Sequence, residues 1–226
     1  MDSAAQPKGP MSSRARDFLT FVSEFFTEFH HTGSLFPSGR RLAEAMANPL
    51  SCAQKPVRVL EVGPGTGAIT RAVVQHIGPE DHFDLIEINP KFAQVLERKF
   101  IDDPRFRPAA KNTQIHVCPL EEFEAKAPYD FIISGLPMNN FEPALVESFF
   151  NRFFELLAPE GTLSYFEYIA LRQVRSKVST SSERTRFKAL NELIDPMLYQ
   201  HRVRRDWVML NGPPAWVQHL RHKPTT

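Results

Sequence analysis

Cysteine is nearly absent from this chain of 226 residues: Cys52 and Cys118 stand in unrelated contexts, too few for a disulfide framework or a zinc site. A reducing, cytoplasmic setting is the expectation. No apolar run approaches the roughly 20 residues needed to span a bilayer, and the first residues lack the uncharged apolar core of a signal peptide. An excess of one charge is also missing, since 27 Lys and Arg against 26 Asp and Glu leave +1. No global field therefore recruits nucleic acid or anionic lipid, and any attraction must be local. There is no internal repeat. What is present is 42% hydrophobic residues, enough for a real core in a length that fits one α/β domain with an extension. Phenylalanine is over-used, at 19 residues, many of them near the N-terminus and in Phe149–Phe154.

Glycine is scarce too, with 10 residues, and three of them are Gly63, Gly65 and Gly67. Val57, Val59, Leu60 and Val62 before them read as a buried parallel strand, and Ala68 to Val74 after them as a helix. Such a turn takes positive φ and lets another molecule approach the backbone. A plain glycine turn is the bland alternative. The next strand, His82–Ile88, carries Glu87 about twenty residues beyond the third glycine. A parallel sheet places an acid there to accept hydrogen bonds from a ribose diol. A solvated strand-end charge is the alternative for Glu87.

The remaining pattern alternates. Asn89–Phe100 is a helix with Asn89 as cap and Pro90 at its first position. Gln114–Cys118, Tyr129–Ser134 and Thr162–Ala170 are strands, with a helix from Pro143 to Leu157 between the last two. A helix at Phe187–Leu198 precedes a terminal hairpin, Gln200–Leu210 and Ala215–Arg221, around an Asn-Gly turn. This predicts a doubly wound, mostly parallel sheet. Ligands of such sheets sit at the carboxyl ends of the strands, so the glycine turn, Glu87, Ser134–Phe141 and the end of the fifth strand should converge.

Residues 1–13 are expected to be a mobile tail, 14–55 an N-terminal helical extension, and 56–226 the main domain. In the extension, Arg14 to His31 sets Phe18, Val22, Phe25 and Phe29 on one stripe, and Gly39 to Met46 forms a second helix. Either the stripe packs on the domain or it lies on a membrane. Leu171–Arg205 is basic. It reads as a solvated face, a phosphate site or a nucleic-acid contact, although it lacks the interleaved aromatics of a single-strand binder.

Glu61-Val62-Gly63-Pro64-Gly65-Thr66-Gly67 resembles the first motif of class I S-adenosylmethionine-dependent methyltransferases. The resemblance runs from about Val57 to the C-terminus. It implies a Rossmann-like, mostly parallel seven-stranded sheet with a terminal antiparallel hairpin, and S-adenosyl-L-methionine as cofactor. Glu61 is then the acid that stabilises the turn and orients the methionine ammonium. A narrower resemblance, carried by Gly33–Met46, Ile86–Pro90, Ser134–Phe141 and Pro213–Val217, is to bacterial phospholipid N-methyltransferases. These act on phosphatidylethanolamine or its methylated intermediates, towards phosphatidylcholine; related members act on ornithine lipids. Ribosomal RNA adenine dimethyltransferases share the Ile86-Glu87-Ile88 strand but carry an aromatic where this chain has Met138, which speaks against nucleic acid. A soluble amine is the other alternative.

These resemblances imply a cofactor site at Glu61, Gly63, Gly65, Gly67, Glu87, Ile88, Ser134, Gly135 and Leu136. The chain has Cys118-Pro119-Leu120-Glu121 where the family often has Gly-Asp or Asp-Ala, so adenine recognition falls to Leu120, Glu121 or Glu122. Methyl transfer is mainly a positioning task. Asn139 and Asn140 offer neutral acceptors to an amine. Tyr168 offers a hydroxyl and an aromatic face tolerant of growing positive charge; a packed strand aromatic is its alternative. Pro137, Met138 and Phe141 are expected to touch the acceptor, and Arg172 and Arg175 to hold a lipid phosphate. No metal and no nucleic-acid partner is expected. The protein is expected at the inner face of the membrane, peripherally bound, in an oligomeric state the sequence does not give.

Overall fold

A computed structural model of the chain describes residues 37–53, 56–169, 181–209 and 213–223. The expected tail, the aromatic helix Arg14–His31, Arg172, Arg175 and the Asn-Gly turn lie outside these residues. Seven strands form one sheet: β1 (Arg58–Val62), β2 (His82–Ile86), β3 (Thr113–His116), β4 (Tyr129–Ser134), β5 (Leu157–Tyr168), β6 (Arg202–Val208) and β7 (Ala215–Leu220). Their order is β3-β2-β1-β4-β5-β7-β6. The first five are parallel, while β7 runs antiparallel to both β5 and β6. The strand order reverses between β1 and β4, which is where a doubly wound sheet opens a crevice at its carboxyl edge.

The helices are α1 (Pro37–Ala47), α2 (Thr70–Val73), α3 (Pro90–Asp102), α4 (Pro143–Leu156) and α5 (Ser181–His201). One face of the sheet packs Leu60, Val62, Ile132 and Tyr165 in a cluster with the α4 and α5 side chains Phe149, Phe153, Leu190 and Ile194. The other packs Val59, Leu85, Ile133 and Phe166 in a cluster with Leu42 and Met46 of α1 and with Ala72 and Val73 of α2. α4 shows the cause most simply. Val146, Phe149, Phe150, Phe153 and Leu156 recur at helical spacing and are all buried, each worth about 1.5–3 kcal/mol of transfer free energy. The repeated phenylalanines are thus core.

Three expectations are corrected. The helix after the glycine turn does not start at Ala68: residues 65–69 are turns, and α2 has four residues before a 3-10 turn, Val74–His76. So short a helix has no useful dipole at its N-terminus. β5 begins at Leu157 rather than Thr162, with a register shift opposite Tyr129 and Phe131 that takes up Pro159 and Gly161. α5 reaches back to Ser181, ahead of the expected start at Phe187, and accommodates Pro196. By contrast, Asn89 does cap α3, its side chain accepting from the Lys91 amide at 3.0 Å.

Two polar clusters hold strands together. Buried Asp84 accepts from the Tyr129 hydroxyl at 2.6 Å and pairs with His82 at 2.6 Å and His116 at 2.7 Å. Burial opposes ionisation, but the Tyr129 and His116 bonds outweigh it and hold the carboxyl below its usual range. Ser164, His219 and Asp206 bridge β5, β7 and β6 at 2.8 and 3.4 Å. Their order imitates a nucleophilic triad. Ser164 is 1% exposed in mid-strand, however, so no substrate can reach it and the chain of bonds is structural.

Candidate active site at the carboxyl edge of the sheet

Backbone bonds first stitch the strand ends together. The Gly63 amide donates to the Ile86 carbonyl at 3.0 Å, Gly135 to Val62 at 2.8 Å, and Glu87 to His116 at 3.0 Å. The glycine turn then rises in left-handed backbone, φ being +69° at Gly63, +57° at Gly65 and +89° at Gly67, which bulkier residues resist. A β-carbon at Gly135 would stand 2.4 Å from the Gly63 carbonyl oxygen, and one at Gly63 would stand 2.6 Å from the Leu136 side chain. The turn and the end of β4 therefore touch backbone to backbone, and the second glycine partner, Gly135, is as necessary as the first.

Glu87 does more than end β2. One carboxylate oxygen accepts from the Gly65 amide at 2.9 Å and the other from the Asn89 amide at 2.8 Å. It thus props the glycine turn from below and starts α3. The Ile88 amide bonds the carboxylate as well, so backbone donors take three of its roughly four acceptor positions and leave one for a ligand. Burial pushes the Glu87 carboxyl above its usual range, against the pull of the Asn89 and Gly65 amides.

Glu61 is fully buried and bonded on one side only. Thr70, at the start of α2, donates its hydroxyl to Oε1 at 3.1 Å. Oε2 is buried with no partner. Burial raises the Glu61 carboxyl from 4.5 to about 8, and repulsion from Glu87 adds to the rise. A half-paired buried carboxylate is costly, and a cationic group of a ligand is what would repay Oε2. Buried side-chain polar atoms are seldom left unpaired. Among the described residues six are, and four of these lie towards the carboxyl edge: Glu61 Oε2, Asn140 Oδ1, Tyr168 Oη and Trp216 Nε1.

The structure brings some expected site residues together and not others. Glu61 and Tyr168 share a sheet face, because Glu61 pairs with Ile133, Ile133 with Ser164, and Tyr168 follows four residues on. Tyr168 packs edge-on against Phe166, ring centres 5.1 Å apart, and burial pushes its hydroxyl well above the usual phenol range, so it stays neutral. Ser134 is buried and its hydroxyl accepts from the Leu136 amide at 3.3 Å. Leu136, Met138 and Phe141, together with Leu120, turn into the α4 side of the core. Met138 and Phe141 thus help to seat the 134–141 loop. Pro137 is buried, Ile88 half-buried and Glu121 exposed.

Two positioning side chains carried no signal in the sequence. Lys99 of α3 donates to the Thr66 carbonyl at 2.6 Å, clamping the glycine turn from outside. Arg186 of α5 donates to the Phe141 carbonyl at 2.9 Å and the Asn139 carbonyl at 3.4 Å, so one residue of the basic stretch holds the loop after β4. Arg184 and Lys188 beside it are exposed, an ordinary solvated face.

Residues 59–161, from β1 into β5, match the methyltransferase domain family. That stretch, a little under half of the chain, is similar to a methyltransferase domain. Over 149 residues the chain is 28% identical to the ornithine lipid N-methyltransferase of Singulisphaera acidiphila, covering 66% of this chain and 77% of that one. It is also 30% identical over 129 residues to the polyamine aminopropyltransferase of Vibrio vulnificus, covering 54% of this chain but 40% of that one. Among solved structures, the O-methyltransferase of Bacillus cereus superposes with a TM-score of 0.60 at 13% identity, over 94% of this chain and 92% of that one. That likeness speaks for the fold. The expected Rossmann-like architecture of class I methyltransferases, with its terminal antiparallel hairpin, is the one found.

Proposed function

We propose that this methyltransferase transfers a methyl group from S-adenosyl-L-methionine to the amine headgroup of a membrane lipid, phosphatidylethanolamine and its methylated intermediates or an ornithine lipid. The observation that carries the cofactor assignment is the unpaired, buried Oε2 of Glu61 beside a glycine turn. It fits the methionine ammonium. Glu87, with an acceptor position left, suits a ribose hydroxyl, and the adenine side is assigned to Leu120 and Glu121. The similarity to an ornithine lipid N-methyltransferase supports the lipid amine.

When bound, the cofactor supplies an electrophilic methyl group on a sulfonium. The chain's own residues then act by placement. Ser134, Gly135 and Leu136 set the floor beside the glycine turn. Asn139 and Asn140 lie beyond it, with Asn140 Oδ1 unpaired and able to accept from an ammonium N–H. Tyr168, kept neutral by burial, offers a hydroxyl to the acceptor nitrogen and an aromatic face to its growing charge. Dry surroundings favour the neutral amine, the form that attacks.

The test is purified protein with labelled methyl donor, offered lipid extract, RNA and soluble amines in parallel. Label in the chloroform phase is the expected result. Label confined to RNA would sink the lipid reading. Label confined to soluble amines would favour the second reading, a small-molecule amine acceptor, for which the likeness to a polyamine aminopropyltransferase speaks.

A further inference from the structure

Among the described residues β6 is one of the sheet's two edge strands, β3 being the other. Its arginines and a register shift between Arg202 and Arg204 guard it against pairing with other chains, yet it also leaves large apolar side chains exposed. Here Val203 and Trp207, and Met209 just past the strand, are 57%, 61% and 57% exposed. The Trp207 ring packs edge-on against Trp216 of β7 at 5.5 Å, and the Arg205 guanidinium lies 4.8 Å over the Trp216 ring. Large apolar side chains left in water beside arginine are the mixture that favours the headgroup layer of a bilayer, where an indole has one wet and one dry side.

The register fixes where this surface stands. Trp207 pairs with Trp216 and Trp216 with Glu167; Val208 pairs with Ala215 and Ala215 with Tyr168. The apolar end of β6 is therefore level with the last residues of β5, on the rim that carries Tyr168. The charge is complementary to anionic lipid: β6 holds Arg202, Arg204 and Arg205 against a single acid, Asp206, which pairs with Arg204 at 2.7 Å. In a chain with a net charge of +1, that is a local excess, effective within a Debye length of a surface.

We propose that the β6 edge is a docking surface for an anionic lipid bilayer, with Trp207 and Met209 entering the headgroup layer so that the Tyr168 rim faces the lipid. This rests on the lipid reading above. The full chain and its W207S/M209S variant are compared for co-sedimentation with vesicles of phosphatidylglycerol and phosphatidylcholine at low salt, with tryptophan emission followed alongside. Wild type should sediment and shift its emission to the blue. The double variant should lose about tenfold or more in vesicle affinity while binding S-adenosylhomocysteine and methylating a water-soluble short-chain acceptor as wild type does. R202Q/R204Q should weaken binding and flatten its salt dependence. Equal vesicle affinity of wild type and W207S/M209S overturns the proposal. So does a wild type that ignores vesicles yet methylates the short-chain lipid, which leaves the lipid reading standing; failure on every lipid acceptor instead removes that reading. A dimer in light scattering that W207S abolishes would assign the edge to a second copy and overturn lipid docking.

Discussion

Glu61→Gln separates the charge of Glu61 from its shape. The glutamine keeps an oxygen for the Thr70 hydroxyl, which reaches Oε1 at 3.1 Å, and removes the ionisable group. In the folded protein burial raises the Glu61 carboxyl from 4.5 to about 8. The folded state thus holds this proton more tightly than the unfolded chain. Its contribution to stability is fullest below about pH 4.5, falls through the window up to about pH 8, and is then level. At about 1.4 kcal/mol per unit, the loss between pH 6 and pH 8 is about 2 kcal/mol. For a chain of this size that is about 4–8 °C in Tm. Thermal melts of wild type and variant at both pH values should therefore diverge, wild type losing that extra amount and E61Q not. Ligand binding should move the opposite way. An ammonium against Oε2 lowers the Glu61 carboxyl, so binding releases a proton near pH 6–7 in wild type and none in E61Q. Loss of a charge-assisted bond, worth about 1.5–3 kcal/mol, weakens S-adenosylhomocysteine by about 10- to 100-fold. Calorimetry in buffers of different ionisation enthalpy reads both quantities. Parallel pH dependence of the two melts, with unchanged affinity and proton release, would refute the assignment of Oε2 to a cation.

Tyr168→Phe removes a buried hydroxyl that has no partner, so Tm should stay level or rise, by up to about 1–3 kcal/mol of stability, while kcat falls at unchanged cofactor affinity; a variant of full activity leaves Tyr168 a packing residue. Gly135→Ala drives a β-carbon to 2.4 Å from the Gly63 carbonyl, backbone against backbone, and should cost both stability and S-adenosylhomocysteine binding, measured by melts and calorimetry. Arg186→Met releases the Phe141 and Asn139 carbonyls and should raise KM for the acceptor several-fold while cofactor affinity is kept; Arg186→Lys should restore part of it. Lys99→Met frees the Thr66 carbonyl and should do the reverse, weakening the cofactor and sparing acceptor KM.

Much of the fold was legible because local pattern and global arrangement agree. The β1 run, the glycine turn, Glu87 and the Asn89-Pro90 cap are each short-range signals, and all four sit where the sequence places them. The boundaries that slipped were set by pairing. β5 extends to Leu157 because Tyr129 of β4 reaches it across a bulge, which Pro159 and Gly161 conceal from any local reading. The burial of Met138 and Phe141 with the α4 side of the core is also tertiary, because hydrophobic residues in a loop look alike in sequence whether they face a substrate or a core.

The sequence by itself determined the chemistry of the turn: three glycines that can take positive φ, an acid before them and an acid after the next strand. These are local demands of backbone conformation and charge, and residue type meets them directly. Only the tertiary structure decided that Gly135 must also be glycine, that Lys99 and Arg186 clamp the two loops, that Glu61 has one paired oxygen and one unpaired, and that Trp207 stands on the same rim as Tyr168. Each depends on which atoms from distant parts of the chain meet, and on how much water the fold leaves between them. No spacing along the sequence encodes either.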